Sequence, residues 1–204
     1  MTVTDKDPDQ KSGISMTNIS IGLVVVLIGL AVIVGMGSSG PSGFGSPSPL
    51  AASAPTRVIV PSISAESSLV PTGLQGDGTL EVPPVTQPMQ ASWFDQSPTP
   101  GEVGPSIVLG HVNGGGQPGI FADLKDVVAG AQVLVDRADG QRAVFEVSRV
   151  ETIPKDSFPT DAVYNDTANP QLRLITCGGN YDQNAGSYLS NVIVYADFVE
   201  VQGV

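Results

Sequence analysis

The sequence predicts an all-β domain closed, or nearly closed, into a barrel. Three observations lead to that fold class. About eight short apolar runs recur along the second part of the chain, turn-forming residues separate them, and helix-like periodicity is sparse. Gly and Pro number 24 and 17, a supply that suits short strands and frequent turns better than long helices. Hydrophobic residues make up 41% of the 204, so one ordinary domain with a true core fits, together with an extension.

The extension comes first. Residues 1–18 are polar and carry Lys6, Lys11 and three Asp. Residues 19–36, ISIGLVVVLIGLAVIVGM, hold no charge over 18 residues. As a helix that run spans about 27 Å at 1.5 Å per residue, close to a hydrocarbon core of about 30 Å. Being apolar on every face, it reads as a transmembrane anchor and not as a core helix. The Ala52–Ala54 pattern lies well beyond it and precedes Pro55, a poor cleavage site. Lys6 and Lys11 precede the span and no Lys or Arg follows until Arg57. That bias predicts a cytoplasmic N-terminus and an extracellular remainder. Residues 37–56, GSSGPSGFGSPSPLAASAPT, form a Gly/Ser/Pro-rich linker that lacks the apolar surface to fold.

Residues 57–204 are the folded domain. RVIVPSI is a β-branched run stopped by Pro and Ser. SLVPTGLQGDGTLEVPP starts as a strand, turns at Gly-Asp-Gly and ends in a second apolar run. SIVLGHV is a strand bounded by Gly. GIFADLKDVVAG reads as one helical turn leading into a loop. AQVLVDRADGQRAVFEVSRVETI is a hairpin, because Asp-Gly between two such runs is a strong hairpin signal. QLRLITC and NVIVYADFVEV complete the set.

The formal net charge of −11 repels phosphate backbones and excludes nucleic-acid binding as an expectation. One Cys permits no internal disulfide. With one His, a three-ligand His/Cys metal site cannot be built, although a carboxylate-only cation site stays open. Asp123, Asp126, Asp136 and Asp139 read as solvated turn charges. No metal or cofactor is implied. Core packing is the favoured reading of Trp93 and Phe94, with a substrate groove as the other.

The single Cys and single His sit in matching settings. Cys177 ends the run QLRLITC and precedes Gly178 and Gly179. Alternation puts Cys177, Ile175 and Arg173 on one strand face and Thr176 and Leu174 on the other. His111 follows IVLG and precedes a Gly-rich loop. Strand-to-loop junctions on a rigid scaffold are where reacting groups tend to sit. A free thiol is only a few per cent thiolate near pH 7. A neighbouring imidazolium stabilises the thiolate and can protonate an amine leaving group. Taken alone, each residue is more often a packing or solvated residue. The residues themselves therefore leave both readings open.

Several segments, in shared order, resemble the sortase family, and most its actinobacterial class F branch. LITCGG is similar to the sortase nucleophile strand, IVLGHVNGG to its His loop, and FPTDAVY (158–164) to a class F segment. RVIVPSI, DGTLEVPP and NVIVYA match the opening strand, an early loop and the final strand region. The resemblance covers about residues 57–201. It implies an eight-stranded sortase β barrel with one or two short helices. It also implies a cysteine transpeptidase in which Cys177 attacks a threonyl carbonyl of a Leu-Pro-x-Thr-Gly-like sorting signal. His111 is then the acid/base, Thr176 lies by the substrate groove, and an amine of a peptidoglycan precursor resolves the thioester.

One position departs from the family. Sortases carry an Arg shortly after the Cys to bind substrate and steady the oxyanion. The corresponding positions here are Asn191 and Leu189, and no Lys or Arg follows Arg173. Asn191 is the favoured substitute and Arg173, four residues upstream of the Cys, the other. The missing Arg keeps a second class of function in view, a catalytically silent barrel that binds peptides or scaffolds surface proteins. An L,D-transpeptidase does not fit, since that family expects a Ser-His-Gly-Cys type motif. A plain cysteine peptidase results if water outcompetes the amine.

Overall fold

The computed structural model describes residues 47–76 and 78–204. The polar start, the apolar span 19–36 and the linker up to residue 46 lie outside the described residues. Among the described residues, no helix is long and apolar enough to cross a membrane.

Eight strands close into one barrel: β1 (Pro55–Val60), β2 (Ala65–Thr72), β3 (Ala91–Phe94), β4 (Gly104–Leu109), β7 (Gln132–Arg137), β8 (Gln141–Pro154), β9 (Pro170–Asp182) and β10 (Ser187–Gly203). Their order is β1-β2-β3-β4-β9-β10-β8-β7, with β7 returning to β1. A small hairpin of β5 (Asn113–Gly114) and β6 (Gln117–Pro118) stands apart. Helix is confined to α1 (Thr160–Tyr164) and three 3-10 turns. The strand count matches the expectation from the apolar runs, but one identity differs. Leu80 makes only an isolated bridge to Leu74, and the third barrel strand is Ala91–Phe94. Four residues around a single Trp gave too short an alternation to read.

Alternation sorts the two longest strands into rows. Leu172, Leu174, Val192, Val194 and Ala196 point into the barrel, among Val58, Val60, Val133, Val135 and Phe145. Ile175, Ile193 and Tyr195 point outward and are roofed by Val163 of α1, with Phe94, Phe158 and Tyr164 around them. Burying each such side chain contributes about 1.5–3 kcal/mol against the entropy of ordering the chain. Trp93 packs against the inner cluster.

Two charge networks brace the side of the barrel formed by β1, β7 and β8. Asp136 accepts from Arg57 Nε at 2.8 Å and from Arg142 Nε at 2.6 Å. Asp136 is 4% exposed, which corrects its reading as a solvated turn charge. Hydrogen bonding from Arg142, then Arg57, holds its carboxyl below the usual carboxylate range. Arg137 is buried and donates to the carbonyls of Pro100 and Ala51 and to Asp139. Leu50 N donates to Gly101 O, and Ala138 N to Ala54 O. The last residues of the compositional linker are thereby held onto the barrel, and β1 begins two residues before Arg57.

Candidate active site

Cys177 lies within β9, not at its end. The ladder with β10 runs past it, pairing Cys177 with Asn191, Gly178 with Ser190 and Tyr181 with Tyr188. Between those last two pairs β9 holds one residue more than β10. Gly179, at φ +74°, takes the extra place. The Gly-Gly step expected to turn the chain therefore makes a bulge, which bends the strand beside the sulfur and re-aims its neighbours. A Cβ at Gly178 would meet Val192 Cγ2 at 2.6 Å, and one at Gly179 would meet Ser190 Oγ at 2.8 Å. The turn itself falls later, between Asp182 and Ser187. Cys177 is free and half-buried.

His111 follows β4, and its Gly-rich loop is a tight hairpin. Gly115 and Gly116 both have positive φ, +56° and +78°, as a two-residue primed turn requires. Gly119 N donates to Val112 O and Phe121 N to His111 O, closing the hairpin's base. Nε2 of His111 lies 2.6 Å from the carbonyl oxygen of Pro83. A carbonyl only accepts, so Nε2 carries the proton there and Nδ1 is left for another partner. Pro83 belongs to the β2–β3 connection, so two separate loops fix the ring.

Cys177 and His111, 66 residues apart in sequence, line one open cleft of about 470 Å³, with Val85, Asn113, Tyr181 and Tyr188. Cys177 also lines a second cleft of about 300 Å³, with Phe121, Lys125, Thr152, Thr176 and Tyr188. Asn113 Nδ2 donates to the Tyr188 hydroxyl at 2.6 Å, tying the His loop to the β9–β10 hairpin. Farther along the outer row, Leu74, Leu80, Phe94, Phe158 and Tyr164 line an apolar groove of about 560 Å³ between the β2–β3 connection and α1. Phe94 is thus a groove residue, unlike its neighbour Trp93.

The remaining expected residues divide. Thr176 lines the second cleft; its buried hydroxyl has no partner among the described residues. Asn191 stands directly across from Cys177 on the neighbouring strand, so the two side chains share a face. Arg173 shares that face too, but its guanidinium lies beneath α1. It donates to Gln171 Oε1 at 2.5 Å and Ala162 O at 3.4 Å and stacks 4.6 Å from the Tyr195 ring centroid. Burial lowers its pKa. It lines neither cleft at the sulfur. Sequence reasoning missed Pro83, Asn113, Tyr188 and Lys125. The first acts through a backbone atom and carries no side-chain signal. Tyr188 stands directly before Leu189 and three residues before Asn191, the two positions matched to the family's Arg, and that adjacency is the one signal in the sequence.

A family model described as a sortase domain matches residues 58–199. None of the curated proteins compared with the chain matches it. Among solved structures, sortase C1 of Streptococcus agalactiae in complex with MTSET superposes with a TM-score of 0.53 at 17% identity, over 71% of this chain and 66% of that one. A lid mutant of sortase A from Corynebacterium diphtheriae gives 0.55 at 18%, over 74% and 73%. Sortase C-1 of Actinomyces oris gives 0.55 at 19%, over 71% and 73%. At these identities the superpositions speak for the barrel fold.

Proposed function

Because the chain belongs to the sortase family, whose members are cysteine transpeptidases of the cell wall, we propose that it cleaves a C-terminal Leu-Pro-x-Thr-Gly-like sorting signal through a Cys177 thioester. The acyl group then passes to an amine of a peptidoglycan precursor. One observation carries the reading: the only thiol and the only imidazole of the chain line the same open cleft. The apolar groove beside Ile175, two residues upstream of Cys177 on the same face, suits the Leu-Pro end of such a signal.

The chemistry follows from the ring's orientation. Nε2–H is held by the Pro83 carbonyl, so Nδ1 is the atom that takes the thiol proton. The thiolate attacks the threonyl carbonyl carbon, forming the C–S bond. Collapse breaks the C–N bond, and Nδ1–H protonates the departing amine. The acceptor amine enters, loses a proton to Nδ1 and expels the thiolate. Water in place of the amine gives hydrolysis. A ring fixed by a third group is the general logic of a nucleophile–base pair, and here that group is a backbone carbonyl.

The span 19–36 and the basic bias before it support anchorage in the cell membrane with the barrel outside. FPTDAVY supports placement in the class F branch, and this segment contributes α1 and the Phe158–Tyr164 wall of the apolar groove. The absence of an arginine at either cleft favours one rival, a silent barrel that holds peptides without cutting them. One experiment separates them. The full chain is incubated with Leu-Pro-x-Thr-Gly peptides varied at x and read by mass spectrometry. A thioester on Cys177, lost in Cys177→Ala, is expected. Peptide binding with no adduct on any panel member would establish the silent barrel.

A further inference from the structure

We propose that the Tyr188 phenol is the catalytic donor to the substrate's carbonyl oxygen and that Asn113 positions it. The proposal rests on the acyl-transfer reading above. Charge grows on that oxygen as the thiolate attacks, and the groups that stabilise it must already point at it. Five arginines are described, and none lines a cleft at the sulfur. The two lysines of the domain are engaged, Lys125 by Asp126 at 2.5 Å and Lys155 by Ser187 Oγ at 2.7 Å. Asn191 shares the face of Cys177 but lines neither cleft.

Tyr188 is placed differently. Cys177 and Tyr188 are the two residues common to both clefts, so Tyr188 borders each opening that Cys177 borders. Its ring is fixed twice. Asn113 Nδ2 donates to the hydroxyl oxygen at 2.6 Å. Tyr181 packs edge-on, centroid to centroid 5.1 Å at 73°. The Asn113 bond occupies a lone pair of the phenol oxygen and leaves the phenol's proton unused. Among the described residues no acceptor takes that proton. A half-buried neutral donor, oriented in advance and free to give its hydrogen bond, is what an oxyanion requires.

The step balances without further groups. Attack forms the C–S bond and moves the carbonyl π pair onto oxygen, which accepts a hydrogen bond from Tyr188 O–H. Tyr188 keeps its proton. Collapse returns the pair, breaks C–N and leaves the amine protonated by His111. Tyr188→Phe removes the donor and preserves the ring stack.

The test is single-turnover acylation of the full chain by the same peptide panel, with KM and Tm measured in parallel. Tyr188→Phe is expected to slow acylation about 100-fold, the range for losing one such donor, with KM within twofold and Tm unchanged. Asn113→Ala, which keeps the phenol but frees it, is expected to slow acylation about 5–10-fold. Adding Leu189→Arg to Tyr188→Phe should restore at least tenfold of the loss. A Tyr188→Phe rate within twofold of the parent overturns the donor and leaves the acyl-transfer reading standing. A parent chain that forms no thioester overturns both.

Discussion

The side of the barrel formed by β1, β7 and β8 and the end of the barrel at the sulfur use polar groups in opposite ways. On the first, Arg57, Arg142 and Arg137 are locked to Asp136, Asp139 and main-chain carbonyls. Arg149 pairs with Glu151 and covers the Tyr195 ring. The two clefts that Cys177 lines carry no guanidinium; their side chains include the imidazole of His111, the phenol of Tyr188, the amide of Asn113 and the ammonium of Lys125. The difference teaches that an acidic chain with few cations can commit its arginines to architecture and leave the clefts at Cys177 with neutral donors and one lysine already paired to Asp126. Neutral donors gain most where water is partly excluded, since hydrogen bonds strengthen as the local dielectric falls.

If that division holds, His111→Ala should show the largest effect of the substitutions that test it. A loss of about 10²–10⁴-fold in acylation is expected, with little change in melting temperature. A large fall in Tm with modest loss of rate would make His111 a packing residue and erase the contrast. Next comes Asp136→Asn, which leaves Arg57 and Arg142 without their shared carboxylate. About 2 kcal/mol of stability should be lost, seen as a Tm lower by roughly 4–8 °C, with acylation within twofold.

The same pair of proteins sharpens the comparison through pH. The folded pKa of Asp136 is depressed by Arg142 and Arg57. Its contribution is therefore complete above the unfolded value of about 3.9 and is lost as pH falls through the lower folded value. Calorimetry should find the Tm gap between parent and Asp136→Asn steady from about pH 7 to 5 and closing below about 4.

Smaller effects probe the border between the two regions. Gly179→Ala places a Cβ at φ +74° against Ser190, and about 1–2 kcal/mol of destabilisation is expected. Acylation should fall with it, because the bulge sets the strand's bend at Cys177. Arg173→Met should change least. It exchanges a buried charge with an unpartnered Nε for an apolar chain, an exchange that is often near neutral. Turnover should stay within twofold. A tenfold loss would make Arg173 the donor and move one guanidinium to the reacting end.

Much of this was legible in the residues. Alternation in QLRLITC correctly set Arg173, Ile175 and Cys177 against Leu174 and Thr176, because the strand is regular up to Gly178 and its period of two holds until the bulge. The Asp-Gly hairpin between β7 and β8 was equally readable. What failed did so for local physical reasons. Gly178-Gly179 looks the same in sequence whether it makes a turn or a bulge, and cross-strand pairing with Ser190 decides between them. Asp136 looked solvated because its partners, Arg57 and Arg142, lie on other strands. The Pro83 carbonyl and the Asn113–Tyr188 bond join segments 28 and 75 residues apart, and no local pattern announces either. The pairing of Cys177 with His111 was open to the residues alone and came from the resemblance.

The closed barrel has one further consequence. Although β7 bonds back to β1, β9 pairs with β4 only as far as Ile175, so the stretch Thr176–Asp182 that carries Cys177 has β10 on one side and keeps its other margin open to main-chain pairing by an extended chain. A peptide laid there is flanked by Val85 of the β2–β3 connection, by the His111 hairpin and by Tyr181 and Tyr188 of the β9–β10 hairpin. Selectivity then resides in loops whose length and sequence can drift while the staves beneath stay fixed, so one vessel can be refitted to a new cargo without being rebuilt.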